Sequence, residues 1–314
     1  MVDINQMLEN DPRLREEVER KFGKRTAAAA ADSAPSGSDA ARLESMGLGG
    51  EGMPMGMEAI ILSVGRPVLF VRKNTFEIPT SDVWTERLRG AQGFLEKIIP
   101  AVGRIEVKNH DELDWVGTGW LVREDVVVTN RHVAVEFGLR AGQLPGFIFK
   151  KNLSGRTIKP SIDFREEHNE PEEDEYTIKE VLFINDDFGP DVAFLRLAEK
   201  AERPPIELET APQKDSDVAV IGYPARDGRR NPGPDMARIY GDVYDVKRLA
   251  PGQLTKVDEQ YVYHDCTTLG GNSGSAVIDL ETGRALGLHF SGSFKKTNYA
   301  VPAPVVKQLL DQIP

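Results

Sequence analysis

The sequence of 314 residues contains one cysteine, Cys266, and only five histidines. A single cysteine excludes an internal disulfide, and with it the disulfide-stapled domains found among small secreted proteins. The sequence also lacks any run of the roughly 20 apolar residues that a membrane-spanning helix needs. Its first residues, MVDINQMLENDPRL, have neither the basic start nor the apolar core of a signal peptide. We therefore expect a soluble protein of the cytoplasm.

Basic residues are outnumbered: 39 Lys and Arg face 50 Asp and Glu, which gives a net charge of −11. Such a charge argues against a nucleic acid or an anionic membrane as a partner. The acidic run EEHNEPEEDE, residues 166–175, contains the hard oxygen ligands that suit calcium. Acidic runs of this kind usually lie in solvent-exposed loops and bind no metal. We expect no metal and no cofactor.

The N-terminal quarter of the chain reads as two sections. Residues 1–24 place apolar side chains at helical spacing among many charges, and Pro12 interrupts them early. This pattern predicts a broken amphipathic helix that docks on a partner or on the chain itself. Residues 25–56 are rich in Ala, Gly and Ser, which predicts a flexible linker.

Residues 57–98 are more regular. They predict two strands around Gly65-Arg66-Pro67, followed by a helix with Ser81 as its N-cap. The position of this unit, just ahead of the main domain at 99–314, suggests a propeptide-like or docking element. An ordinary N-terminal extension that packs on the main domain is the equally favoured interpretation.

The stretch CTTLGGNSGSAVID, residues 266–279, is rich in the residues that make tight turns. Taken alone, Gly-Asn-Ser-Gly around Ser273 predicts a turn. The stretch that follows it predicts two buried strands joined by a hairpin at Glu281-Thr282-Gly283. A serine held on a sharp bend between stiff elements can also be a nucleophile, provided that the chain supplies a base.

A base and an acid are found upstream in matching settings. His132 follows the apolar strand VVVT and lies at the start of a short helical stretch, where side chains face a cleft. Asp191 opens the almost wholly apolar strand DVAFLRL, and an acid beside a buried strand needs a partner. Asp186 and Asp187 precede Gly189-Pro190 in a loop, so we interpret them as solvated turn residues.

These segments together, GTGWLV, VVVTNRHVA, DVAFLRL and GGNSGSAV, resemble the trypsin-like serine peptidases of the bacterial type. That branch includes the HtrA peptidases and the V8-like glutamyl endopeptidases, and the resemblance covers residues 99–314. It implies that His132, Asp191 and Ser273 form a catalytic triad. It also implies that the backbone N–H groups of Gly271 and Ser273 form the oxyanion hole. The expected partner is a protein or peptide substrate.

The same resemblance implies a mostly β fold: two packed six-stranded antiparallel barrels of the chymotrypsin type, a C-terminal helix, and a helical and strand N-terminal extension. The barrels would divide near residues 202–217, with the active site in the crevice between them. Strands are predicted at Ile105–Lys108, Gly117–Val122, Val126–Thr129, Val192–Leu197, Val218–Gly222 and Tyr261–Asp265. The C-terminal helix is predicted from about Ala303 to Gln312.

The pocket for the residue before the cut is assigned by the same resemblance to Thr268, His289 and Gly292. The pattern of Thr268 and then GLHF is similar to that of the glutamyl endopeptidases, which implies cleavage after an acidic residue. Histidine and threonine can both donate hydrogen bonds to a carboxylate. The alternative interpretation is that His289 is a core histidine.

Two functional hypotheses follow. The first is an endopeptidase that cuts after Glu and trims its own N-terminal region, with Glu51, Glu58 and Glu77 as candidate sites. An HtrA-like preference for small apolar residues is its variant. The second is a regulatory module on the peptidase fold, silent until an activating protein binds residues 1–98.

Overall fold

A computed structural model describes residues 4–22, 63–142, 146–226, 234–293 and 297–314. The linker predicted at 25–56, with Glu51, and the residues up to 62, with Glu58, lie outside the described residues. None of the described helices is long and apolar enough to cross a membrane.

Residues 4–22 form two short helices, α1 (Ile4–Asn10) and α2 (Pro12–Phe22). The break falls at Pro12, as predicted, and the Asp11 carboxylate accepts a hydrogen bond from the Leu14 backbone N–H at 3.1 Å, which caps the second helix. The apolar face of these helices is buried within the chain's own core, through Ile4, Met7, Leu8, Leu14 and Val18.

The extension that follows combines two strands with a long helix: β1 (Leu69–Arg72), β2 (Thr75–Phe76) and α3 (Asp82–Ile98). Residues 63–65 are helical, so the strand predicted immediately before Gly65 is wrong there. The physical reason lies in tertiary contacts: the Gly65 carbonyl accepts from the Trp84 and Arg66 side chains, both at 2.7 Å, in place of a neighbouring strand. Gly65 also packs so closely that a Cβ there would lie 2.6 Å from Met7 Cε. The prediction for α3 is confirmed.

The start of α3 is held by side chains from two elements. Ser81 Oγ accepts from the Trp84 N–H at 3.2 Å, so Ser81 is the N-cap. The carboxylate of Glu17 in α2 accepts from the Asp82 and Val83 N–H groups at 2.8 and 3.0 Å. A carboxylate is favourable at the positive end of a helix, so α2 and α3 are joined by both charge and hydrogen bonds.

The first barrel is closed by six antiparallel strands in the order β10-β5-β4-β3-β8-β9. A short 3₁₀ turn at Ile99–Ala101 leads into it from α3. Its strands are β3 (Val102–Lys108), β4 (Trp115–Arg123), β5 (Val126–Thr129), β8 (Lys159–Asp163), β9 (Glu175–Ile184) and β10 (Ala193–Leu197). Between β5 and β8 lie the helix α4 (Arg131–Ala134) and the hairpin of β6 (Gly138–Arg140) and β7 (Phe147–Phe149).

The second barrel has the order β11-β14-β15-β16-β13-β12 and is closed by pairing of β11 with β12. Its strands are β11 (Asp217–Gly222), β12 (Arg248–Val257), β13 (Val262–His264), β14 (Ala276–Asp279), β15 (Ala285–Ser293) and β16 (Thr297–Pro302). Helix α5 (Pro234–Tyr240) precedes β12, and α6 (Ala303–Leu310) follows β16.

The architecture confirms the predicted fold: a mostly β chain with two six-stranded antiparallel barrels and a C-terminal helix. The first barrel ends at Leu197 and the second begins at Asp217, so the predicted division at 202–217 lies between them. The N-terminal extension joins the second barrel, because β1 pairs with β12 through Leu69 and Leu249.

Candidate active site

His132 is placed at the surface by a strand that ends and a helix that begins. Strand β5 stops at Thr129, and Asn130 occupies the N-cap position of α4 in an extended conformation. The one-turn helix then carries His132, whose side chain is 44% exposed. An imidazole in this position can exchange a proton with a molecule bound from outside.

Asp191 lies directly beside this imidazole. Its Oδ2 is 2.6 Å from His132 Nδ1, and its Oδ1 accepts a hydrogen bond from the His132 backbone N–H at 3.0 Å. Burial opposes ionisation of Asp191, but hydrogen bonding to His132 and the charge of His132 together hold the pKa of the carboxyl below its usual value. A charged Asp191 fixes the proton on Nδ1, so Nε2 of neutral His132 has a free lone pair.

Ser273 belongs to the second barrel and contacts the first. Its backbone carbonyl accepts a hydrogen bond from the Thr118 N–H of β4 at 2.8 Å. Gly117 packs at this junction, since a Cβ there would lie 2.8 Å from Val133, the neighbour of His132, and 3.0 Å from the Ser273 carbonyl oxygen. The structure therefore brings the two barrels together at Ser273. In the described part of the chain, Ser273 Oγ makes no hydrogen bond to His132, and such contacts often tighten only when substrate binds.

The turn that carries Ser273 requires glycine on both sides. Gly271 and Gly274 have φ of +84° and +89°, the left-handed region that favours glycine. A Cβ at Gly271 would lie 2.4 Å from the Tyr223 carbonyl oxygen and 2.5 Å from the Trp115 ring. Among the described residues, the Gly271 and Ser273 N–H groups donate to no protein acceptor, so both are free to bind an anionic oxygen.

Two of the three pocket residues named from the sequence, Thr268 and Gly292, lie against one further side chain, Asn298 of β16. Thr268 Oγ1 donates to Asn298 Oδ1 at 2.9 Å, and a Cβ at Gly292 would lie 2.4 Å from the same oxygen. Asn298 Nδ2 donates to the Cys266 carbonyl at 2.6 Å. The Thr268 hydroxyl is thus engaged with Asn298, which the sequence analysis did not identify. Its only signal was an amide in the strand TNYAVP.

His289 is buried, with 3% exposure, and its Nδ1 is 3.1 Å from Nε2 of His264, which is wholly buried in β13. Burial lowers the pKa of His264 to about 3. Burial, and then the neighbouring His264 and His132, lower the pKa of His289 well below its usual value. Both imidazoles are therefore neutral at pH 7. His264 was not predicted to belong to the site; its signal was a polar residue facing inward in the apolar strand YVYH.

The tautomer of this histidine pair follows from hydrogen-bond accounting. His264 Nδ1 has no partner in the described part of the chain. If His264 Nε2–H donates to His289 Nδ1, the unpaired atom is an acceptor. The reverse assignment would leave a buried N–H unpaired, which is rarer in proteins. The favoured arrangement therefore leaves His289 with a proton on Nε2, the one donor it can offer to a ligand.

Comparison with known proteins gives two matches. Residues 117–288 match the model of the trypsin-like peptidase domain. The chain is also similar to a protein of Lysobacter enzymogenes described as a probable serine protease, at 30% identity over 294 residues, covering 82% of this chain and 75% of the relative. The matched domain contains His132, Asp191 and Ser273.

Proposed function

We propose, because the chain belongs to the family of trypsin-like serine peptidases, that it is an endopeptidase with His132, Asp191 and Ser273 as its catalytic triad. The observation that carries this proposal is the 2.6 Å contact between His132 Nδ1 and Asp191 Oδ2. Ser273 contacts the same barrel through the Thr118 N–H. A charged acid, an oriented base and a serine on a strained turn are the parts that acyl transfer needs.

The chemistry assigns one task to each group. Ser273 Oγ attacks the scissile carbonyl carbon while His132 Nε2 takes its proton, and Asp191 stabilises the imidazolium that forms. The N–H groups of Gly271 and Ser273 donate to the oxyanion, and each such donor is worth about 3 kcal/mol in the transition state. The C–N bond then breaks as His132 gives its proton to the leaving amine, and water hydrolyses the acyl-enzyme by the same steps.

An active-site probe tests this assignment. A fluorophosphonate should label Ser273 of the isolated chain promptly, and peptide mapping should find the adduct on that residue. Ser273→Ala is the matched control and should remain unlabelled while keeping the same circular dichroism spectrum. Absence of labelling in the folded wild-type chain would contradict the proposal.

Cleavage after an acidic residue, Glu in particular, is the second part of the proposal. It is supported by the neutral His289, whose Nε2–H is a donor, and by the lack of a carboxylate among the assigned pocket residues. A basic side chain in this pocket would be buried without a partner. A bound carboxylate would receive a charge-assisted hydrogen bond from His289.

A peptide library measures this preference. The wild-type enzyme should cut after Glu or Asp, and His289→Ala should lose that preference. His168→Ala, a histidine that stacks on Phe70 in the extension, is the control and should cut as the wild type does. Cleavage by the wild type after Val, Ala or Leu would favour the HtrA-like variant of the proposal.

Self-processing of the N-terminal region forms a third part. Of the candidate sites, Glu77 is tied into the fold, since its backbone N–H donates to the Phe70 carbonyl at 3.0 Å. A strand-like backbone contact of this kind hinders entry into a catalytic crevice, so we favour Glu51 and Glu58. N-terminal sequencing of the purified wild type and of Ser273→Ala decides it: only the wild type should begin at a new residue.

The alternative function is a peptidase-fold module that stays silent until a protein partner binds residues 1–98. The same probe separates it from the first proposal, since a silent module would label only after the partner is added. We also propose a cytoplasmic location, because the lone cysteine is buried and can form no internal disulfide. Fractionation of the native cells would test the location.

A further inference from the structure

Arg66, in the N-terminal extension, is a buried charge with every guanidinium nitrogen in use. Its Nε and Nη2 donate to the two carboxylate oxygens of Asp265 at 2.7 and 2.6 Å, and its Nη1 donates to the Gly65 carbonyl at 2.7 Å. The side chain is fully buried. A planar fork that meets both carboxylate oxygens fixes direction as well as distance. Arg66 therefore orients the Asp265 carboxylate together with the Gln253 backbone N–H, which donates to Asp265 Oδ1 at 2.7 Å.

Asp265 directly precedes residues 266–268, the segment that contains the assigned pocket residue Thr268. We call this segment the pocket wall. Thr267 Oγ1 donates to the backbone carbonyl of Arg66 at 2.9 Å, so Arg66 contacts this segment a second time. On the other side, Asn298 binds the Cys266 carbonyl and the Thr268 hydroxyl. The wall is thus held between Arg66 and Asn298.

Arg66 is in turn fixed by the helices of the extension. Trp84 Nε1 donates to the Gly65 carbonyl at 2.7 Å, and the Arg66 guanidinium lies 5.3 Å from the centre of the Trp84 ring. Met7 and Leu14 pack against Gly65 on the other side. All of these residues precede the matched domain at 117–288.

We propose that Arg66 is a positioning residue for substrate selection, and that residues 63–98 are a permanent part of the working enzyme. The proposal rests on the proposed function, since the wall at 266–268 selects a substrate only if a peptide binds there. Arg66 acts through Asp265 and Thr267, which keep Thr268 opposite Gly292. Without it the pocket wall would take several positions, while the triad, held by Thr118 and Asp191, would keep its geometry.

The Arg66→Lys variant tests the proposal, because lysine keeps the positive charge but lacks the planar guanidinium that bonds both oxygens of Asp265. The measurements are kcat and KM for peptides that differ only in the residue before the cut, and the rate at which a small fluorophosphonate labels Ser273. We expect kcat/KM for the preferred peptide to fall on the order of 10-fold or more, because small displacements at a binding site are costly. The discrimination between peptides should fall with it, and labelling should stay within about twofold.

Arg87→Lys is the matched control. Arg87 belongs to the same extension, lies over the same Trp84 ring at 4.8 Å, and pairs with Asp11 and Asp217. It has no hydrogen bond or ion pair to residues 265–268 among those described. Its variant should therefore keep the peptide discrimination of the wild type.

A milder variant, Thr267→Val, guards against a folding defect in Arg66→Lys. It removes one hydrogen bond to Arg66 and should lower discrimination by about fivefold. The inference is overturned if both variants discriminate as the wild type does, or if labelling and cleavage fall in parallel. A wild type that is not labelled at all would instead contradict the proposed function, so the two failures are distinguishable.

Discussion

Each barrel contains one hydrogen-bonded pair of side chains that includes a histidine, and the two pairs differ in their exposure to solvent. In the first barrel His132 is 44% exposed and faces a carboxylate, Asp191. In the second barrel His264 and His289 are buried and face each other. The first pair can take up and return a proton, because a charged partner stabilises the imidazolium. The second pair stays neutral and can only orient a donor, so we propose that histidine serves catalysis in one barrel and recognition in the other.

The strongest test of the exposed pair is removal of Ser273, the nucleophile that we propose it activates. We expect Ser273→Ala to lower kcat by about 10⁶-fold, since a serine nucleophile and its base act as a unit. Steady-state kinetics with a peptide substrate measure the loss, and an unchanged melting temperature shows that the fold is kept. A residual kcat within about 100-fold of wild type would contradict the assignment of Ser273.

Asp191→Asn should have the next largest effect, a loss of about 10⁴-fold in kcat, because an amide favours the wrong tautomer of His132. The control is Asp187→Asn, since the Asp187 side chain is 87% exposed in its ion pair with Arg131. An exposed pair of this kind contributes little, so this variant should keep the wild-type kcat. Equal losses in the two variants would overturn the role of Asp191.

His264→Leu tests the buried pair by releasing His289 from its fixed tautomer. We expect a loss of about fivefold in kcat/KM for a peptide with Glu before the cut, and a smaller loss for the matched Gln peptide. Nitrogen-15 NMR of the imidazoles gives an independent readout: in the wild type, His289 should be protonated at Nε2. Protonation at Nδ1 of His289 would contradict the assignment.

The last prediction concerns stability, which should depend on pH through His264. The pKa of His264 falls from an ordinary 6.5 to about 3 in the folded chain, so below about pH 6.5 the unfolded state binds a proton that the folded state does not. The contribution of His264 to the free energy of unfolding is therefore fully present above pH 6.5. It is lost as the pH falls towards 3, by about 1.4 kcal/mol per pH unit.

Denaturant unfolding between pH 7 and pH 4 measures this slope. The wild type is compared with His264→Leu. Both proteins have the same carboxylates, so the effect of carboxylate titration on the free energy of unfolding cancels in the difference. The free energy of unfolding of the variant should fall less steeply with decreasing pH. Parallel curves would show that His264 does not contribute.

Much of the fold was predictable because its signals are local. The apolar strand Val126–Thr129 and the Asn and Arg that follow it dictate a strand end and a helix start, and His132 lies there. The glycines of GGNSGS permit a bend that other residues cannot make, which locates Ser273. The six strands predicted with bounds agree with the observed ones to within three residues at each end, whereas β8, β9, β12 and β16 were not predicted.

The remaining features depend on residues that are distant in sequence. The contact between Asn298 and Thr268 joins residues 30 positions apart, and that between His264 and His289 joins residues 25 apart. Periodicity and capping rules report on neighbours within one element, so they cannot identify such pairs. The helical turn at Gly65 was missed for the same reason, since the contacts of Gly65 with Met7 and Trp84 join residues that are distant in sequence.

The contact between Arg66 and Asp265 spans 199 residues of sequence, and this has a consequence for the time at which the enzyme matures. Contacts between distant residues form late, because a long loop must close before they can be made. During synthesis the pocket wall cannot be completed until the last strands have left the ribosome. The extension and the segment 266–268 are therefore joined only after most of the chain has been made.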